Sequence, residues 1–155
     1  MMKYYLLTGD IGGTNSRMAF YDTHHTSSSN KKKCHPIYEK HYRNAEHILP
    51  EYYNDPNVFT NQIIIPFLKY CFEEMKNDNA TSTENDGVQI IATLAVAGMV
   101  LNNQVHLTNL GNMLIDGNAI ANNNKDEFMR KIVVCRIIND FVAVRSRLCM
   151  LPFIL

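Results

Sequence analysis

The chain has 155 residues and a mass of 17.8 kDa, with 15 Lys+Arg against 15 Asp+Glu for a net charge of +0. That length fits one ordinary domain, which can bury a core without disulfide or metal staples. A hydrophobic content of 46% with 19% charged residues is that of a folded globular chain, and the neutral balance supplies no basic field for nucleic acid or an anionic membrane surface.

Neither a nucleic acid nor a membrane is therefore expected as a partner. The one basic run, Lys31-Lys32-Lys33, lies in a polar stretch and reads as a solvated loop. No segment approaches the ~18 consecutive apolar residues of a membrane span. The apolar residues after Lys3 are too few for a signal peptide and no small-residue cleavage site follows, so a cytoplasmic location is expected. Cys34, Cys71, Cys135 and Cys149 form no CxxC pair and are expected as free thiols. A cluster of Cys34 and His35 with His24, His25, His41 and His47 has no zinc-ligand spacing and reads as loop histidines.

In chain order, residues 4–8 and 16–21 are strand-like runs joined by Gly9-Asp10-Ile11-Gly12-Gly13-Thr14-Asn15. The adjacent glycines allow the positive φ of a tight turn, which predicts a β-hairpin. Residues 23–36 are rich in Ser, Asn, Lys and His and read as an insertion before a third strand near 37–42. Phe59, Ile63, Ile64, Phe67, Leu68, Cys71, Phe72 and Met75 recur at helical spacing, and Pro66 should kink that helix or mark a late start.

After a polar linker over 77–87, residues 88–96 form a nearly continuous apolar run, as in a strand buried on both faces. Residues 99–107 alternate around Asn102-Asn103, a pair that tolerates a type I′ turn, and predict a second hairpin. Asp116 can cap a short helix over 117–123. Residues 131–138 predict another buried strand, ending at Asn139-Asp140, with a helix from Phe141. This order describes an α/β sandwich with a mixed sheet.

Two segments concentrate chemistry. The glycines of Gly9–Asn15 expose backbone N–H groups beside a hydroxyl, an amide and a carboxylate, the parts of a phosphate and metal-ion cradle. It is neither a Walker A loop nor a dinucleotide fingerprint, and a plain hairpin turn is the competing reading. Asn139-Asp140 ends a strand where α/β proteins open their binding crevice, so Asp140 is a candidate base, with a helix N-cap pair as the alternative.

Together, Gly9-Asp10-Ile11-Gly12-Gly13-Thr14-Asn15-Ser16-Arg17, Ala95-Val96-Ala97-Gly98, Val105-His106-Leu107-Thr108-Asn109-Leu110, Ile115-Asp116-Gly117 and Ile138-Asn139-Asp140-Phe141-Val142-Ala143-Val144 closely resemble the bacterial-type glucokinase family in order and spacing. The resemblance implies an actin-like (ribonuclease H-like) α/β fold with sugar and ATP bound between two domains. It covers the amino-terminal (small) domain, here 1–155, and implies a truncated chain without the carboxy-terminal domain.

The resemblance also implies roles. Asp10, Gly12, Gly13, Thr14, Asn15 and Arg17 would face the ATP phosphates and Mg²⁺, with Asp10 as the metal-facing carboxylate. Asp140 would be the catalytic base, with Asn139, Thr108, Asn109 and Gly98 on the sugar. The expected cofactors are ATP and Mg²⁺, and the expected partners are glucose, ATP and a second copy in a homodimer. The expected activity is phosphorylation of glucose to glucose 6-phosphate; the alternative is a non-catalytic half-domain acting as a binding or interaction module. The family commonly has Pro at the place of Met99 and Trp at that of Asn112, and a Gly-Tyr-containing helix where this chain continues from Arg145.

Overall fold

Apolar side chains at alternate positions give β1 (Lys3–Ile11) one face of Tyr5, Leu7 and Ile11 that is buried and another that is more exposed. In β2 (Asn15–Asp22) the buried residues are Ser16 and Met18–Phe20, in β3 (Tyr38–Arg43) Tyr42 is the buried one, β4 (Val88–Val96) alternates strictly, and the strand Ile132–Asn139 completes one five-stranded sheet. The structure, a computed structural model, describes residues 2–23, 35–77 and 87–140. Two further strands, β5 (Gln104–Leu107) and β6 (Met113–Asp116), form a separate antiparallel ribbon, which makes Ile132–Asn139 β7. The sheet runs β3-β2-β1-β4-β7, antiparallel from β3 to β1 and parallel from β1 through β4 to β7. This is the expected mixed-sheet α/β architecture.

Between the short helix α1 (Asn44–His47) and β4 lies α2 (Ile65–Asn77), which buries Phe67, Leu68, Cys71 and Phe72 against the sheet. Pro66 has no N–H to give a carbonyl four residues back. The chain answers with a π-helical turn, Thr60–Ile64, in which the Ile65 N–H reaches the Thr60 carbonyl, and α2 starts only there. Tyr5 stacks on Phe20 at 5.0 Å between ring centroids, Phe20 meets Phe72 edge-on at 6.2 Å, and Phe72 lies 5.6 Å from Phe128. Each such pair adds ~0.5–1.5 kcal/mol beyond its buried area.

Several expectations are corrected. β1 continues through Asp10 to Ile11, so the turn is only Gly12-Gly13-Thr14, and neither glycine has a positive φ. Pairing of Gly9 with Met18 on one side and Leu94 on the other holds the glycine-rich segment extended. In β4 only alternate residues are fully buried, because the second face of the sheet is half-covered. β7 is the edge of the sheet, with Val133 and Val134 exposed, where the sequence reads as a buried strand.

Asn102 and Asn103 take φ of 52° and 62° as expected, but the turn closes a single bridge, Leu101 to Gln104, and β5 pairs with β6 instead. The Asn103 side chain is drawn to the sheet edge, where Nδ2 donates to the Cys135 carbonyl at 2.9 Å and Oδ1 accepts from the Ile137 N–H at 2.8 Å. Asp116 caps α3 (Gly117–Ala121), its Oδ1 accepting from the N–H groups of Asn118 and Ala119.

Cys71 and Cys135 are free and buried. Among the described residues no group of His, Cys, Asp and Glu is placed to hold a metal ion, and no helix is long and apolar enough to cross a membrane. Residues 24–34 with Lys31-Lys32-Lys33 and Cys34, the linker 78–86, the helix expected from Phe141, and Cys149 lie outside the described residues.

Candidate active site at the ends of the parallel strands

In the register of the sheet Ile11 lies beside Val96 and Val96 beside Asn139, so three parallel strands end at one level. Parallel sheets open their binding crevice beyond such ends. The segments that leave there are Gly12-Gly13-Thr14, Ala97-Gly98 and Asn139-Asp140. They are tied to one another: the Ala97 N–H donates to the Ile11 carbonyl at 3.1 Å, and Asn139 Nδ2 donates to the Gly98 carbonyl at 2.6 Å. A Cβ on Gly98 would lie 2.8 Å from Val105 Cγ2, which brings β5 against the same loop.

The 3-10 turn Thr108–Leu110 closes the group from the ribbon side. A Cβ on Gly13 would lie 2.8 Å from Asn109 Cβ, so the hairpin turn and this turn are in contact. Gly111, at φ 59°, ends the turn and packs under the ring of Tyr53, which leaves no room for a side chain. Asp10, Thr14, Asn15, Thr108 and Asn109 are exposed, whereas Gly12, Gly13, Gly98, Asn139 and Asp140 are half-buried. Of the five resembling segments, Ile115-Asp116-Gly117 serves structure, since Asp116 caps α3 and accepts from Gln104 Nε2 at 2.7 Å.

Arg17 sits opposite Asp10 in the hairpin register, but its guanidinium is held by Glu39 through Nε and Nη2 at 2.8 and 2.9 Å. His41 Nε2 lies 2.8 Å from the same carboxylate. The hydrogen bonds from Arg17 and then His41 hold the Glu39 carboxyl down at about 2. Any contact of Arg17 with a phosphate would require it to leave this bidentate pair.

A residue that the sequence does not flag is Asn44. It is completely buried, and its backbone and side chain bond Thr14, Gly12 and Ser16 of the hairpin. Only its position just after β3 hints at this, because a buried Asn needs partners.

The family model described as Glucokinase matches residues 7–152 of this chain. The chain belongs to the glucokinase family. Among solved structures, a glucokinase from an Antarctic psychrotroph is similar at 24% identity, over 90% of this chain and 33% of that one, with a TM-score of 0.44. The chain thus spans about a third of the length of that glucokinase. No curated protein matches it. The four converging segments all fall within the matched glucokinase region.

Proposed function

We propose that this chain supplies one wall of an ATP-dependent glucose kinase, acting in the cytoplasm and making glucose 6-phosphate. Asp140 is the general base: its carboxylate accepts the proton of the sugar 6-hydroxyl as that oxygen bonds to the γ-phosphorus and the bond to the leaving ADP oxygen breaks. Asn139, Thr108, Asn109 and Gly98 orient the sugar. The turn Gly12-Gly13-Thr14 and Asn15 at the start of β2 offer backbone N–H groups to the phosphates, and the exposed Asp10 carboxylate faces the metal. Mg²⁺ bound with the nucleotide would neutralise charge on the transferring phosphoryl group. The residues present suit it, since Asp10 is an exposed hard-oxygen donor beside the turn.

The observation that carries this reading is the bond from Asn139 Nδ2 to the Gly98 carbonyl at 2.6 Å. It fastens the end of β7 to the loop after β4, and the Ala97 N–H ties that loop to Ile11 just before the hairpin turn, which supports reading Asp140 and the turn as parts of one site. Phosphoryl transfer depends chiefly on such positioning of groups around the reacting atoms.

The test is a coupled assay for glucose 6-phosphate, with the chain alone and joined to a homologous second domain. In the joined protein Asp140→Asn should lower kcat by ~10²–10⁴-fold with the fold intact. Near-normal turnover of a folded variant would remove Asp140 from the role. The isolated chain should show no measurable turnover, because holding both substrates in reacting geometry supplies up to ~7–11 kcal/mol of the barrier and one wall cannot do so.

A further inference from the structure

The backbone N–H and both side-chain polar atoms of Asn44 all bond the hairpin. Its backbone N–H donates to the Thr14 carbonyl at 2.8 Å, Nδ2 donates to the Gly12 carbonyl at 2.8 Å, and Oδ1 accepts from Ser16 Oγ at 2.7 Å. Its own carbonyl accepts from the Ile48 N–H at 2.7 Å, the bond that closes α1. The residue is completely buried, and Ser16 is buried with it. A hairpin turn normally leaves its carbonyls to water or to its own N–H groups. Here two of them, of Gly12 and Thr14, are drawn inward to the side chain and backbone of a residue more than two dozen positions away in sequence.

The direction of those carbonyls fixes the direction of the neighbouring N–H groups. A trans peptide unit holds its C=O and N–H antiparallel, and the described residues contain no cis bond. With the Gly12 and Thr14 carbonyls turned toward the buried Asn44, the N–H groups of Gly13 and Asn15 point the opposite way, away from that amide. A concavity of such outward N–H groups is what binds an anion.

We infer that Asn44 is a positioning residue for the nucleotide: by anchoring two carbonyls of the hairpin turn it aims the Gly13 and Asn15 N–H groups at a phosphate. The inference rests on the reading of this turn as the phosphate cradle. It adds that the cradle is preorganised from below by a buried amide, with no basic side chain needed for the aim. Arg17, the nearest cation in the hairpin, is meanwhile held by Glu39.

The experiment is a titration of the ¹⁵N-labelled 155-residue chain with millimolar MgATP, followed at the amides of Gly13 and Asn15. In the wild type both resonances should move saturably. Asn44→Ala should weaken that binding about tenfold, equivalent to ~1.4 kcal/mol, while the amides of β4 keep their positions. A merely structural staple would change the melting temperature and leave the affinity alone. Should Asn44→Ala fail to fold, Ser16→Ala, which frees the amide to rotate, carries the test with an expected weakening of about threefold.

Wild-type shifts that persist at full affinity in the folded Asn44 variant, or in Ser16→Ala where that variant is needed, overturn the inference alone. Absence of any shift at Gly13 and Asn15 in the wild type overturns both the inference and the phosphate reading of the hairpin.

Discussion

Gly13 and Asn109 meet so closely that a Cβ on the glycine would lie 2.8 Å from the Asn109 Cβ and 3.0 Å from its Nδ2. The glycine has no positive φ, so its small size is used here for approach and not for conformation. The contact joins the hairpin turn to the 3-10 turn of the ribbon. A load on one turn is therefore felt by the other.

Gly13→Ala should accordingly destabilise the chain by about 1–3 kcal/mol, because the clash is with a Cβ and not with the free end of a side chain. Asn109→Gly in the same background removes the obstructing atoms and should restore most of the loss. The check is a double-mutant cycle by urea denaturation; additive effects of the two changes would mean that the contact carries no coupling.

The Arg17–Glu39 pair sets a second expectation. The Glu39 carboxyl is lowered from 4.5 to about 2, first by the Arg17 hydrogen bond and then by that of His41. Because its pKa falls on folding, the stabilisation is complete above about 4.5 and fades as pH drops toward 2. The pair is exposed, so its contribution to stability is small and screened by salt. A carboxyl-detected NMR titration should place the Glu39 midpoint near 2, and Arg17→Ala should return it most of the way to the ordinary value. An unmoved midpoint in that variant would show that Arg17 is not the partner in solution.

Much of this arrangement was legible in the sequence. The hairpin, the third strand, the delayed helix at Pro66, the left-handed turn at Asn102-Asn103 and the Asp116 cap are all local, set by turn chemistry, periodicity and capping within a few residues. What was not legible depends on neighbours. The apolar run in β7 reads the same in the middle of a sheet as at its edge, and only the strand order makes Val133 and Val134 exposed. Gly9, Gly12 and Gly13 suggested a long turn, yet pairing with two flanking strands keeps Gly9 extended. For the site, the motif segments were visible but their contacts were not: Asn139 bonds Gly98 across 41 positions, and Asn44 reaches Gly12 across 32.

Burial governs the cysteines. Desolvation pushes the Cys71 thiol up beyond the ordinary range and the Cys135 thiol up to about 12. The thiolate is the reactive form, so both should resist alkylation in the folded chain at pH 8 and react only as it unfolds. Peptide-resolved mass spectrometry after iodoacetamide treatment, with and without denaturant, measures this. Rapid native modification of Cys71 would contradict its place on the buried face of α2.

Tyr42 offers a stabilising change. Its hydroxyl is the one buried side-chain polar atom without a hydrogen-bond partner among the described residues, and burial raises its pKa to about 12. A buried unsatisfied hydroxyl costs ~1–3 kcal/mol, a cost that Tyr42→Phe removes with no change in the packing of the ring. Urea midpoints should rise or stay level for this variant. A clear fall would mean that a water or a neighbour satisfies the hydroxyl.

Asp10 lies in the hairpin register opposite Arg17 and is exposed, next to the turn that begins at Gly12. Since the Arg17 guanidinium is committed to Glu39, Asp10 is left as a carboxylate whose natural complement is an added cation. Exposed substitutions of this kind usually change stability by less than ~0.5 kcal/mol, so Asp10→Asn should fold like the wild type. Its effect should appear in nucleotide use: in the protein joined to a second domain, the Mg²⁺ concentration for half-maximal activity should rise at least about tenfold, with the KM for glucose within about twofold. The split separates a metal-facing role from a general loss of the site. An equal rise in both constants would assign Asp10 to the shape of the hairpin, and unchanged Mg²⁺ dependence would remove it from the metal.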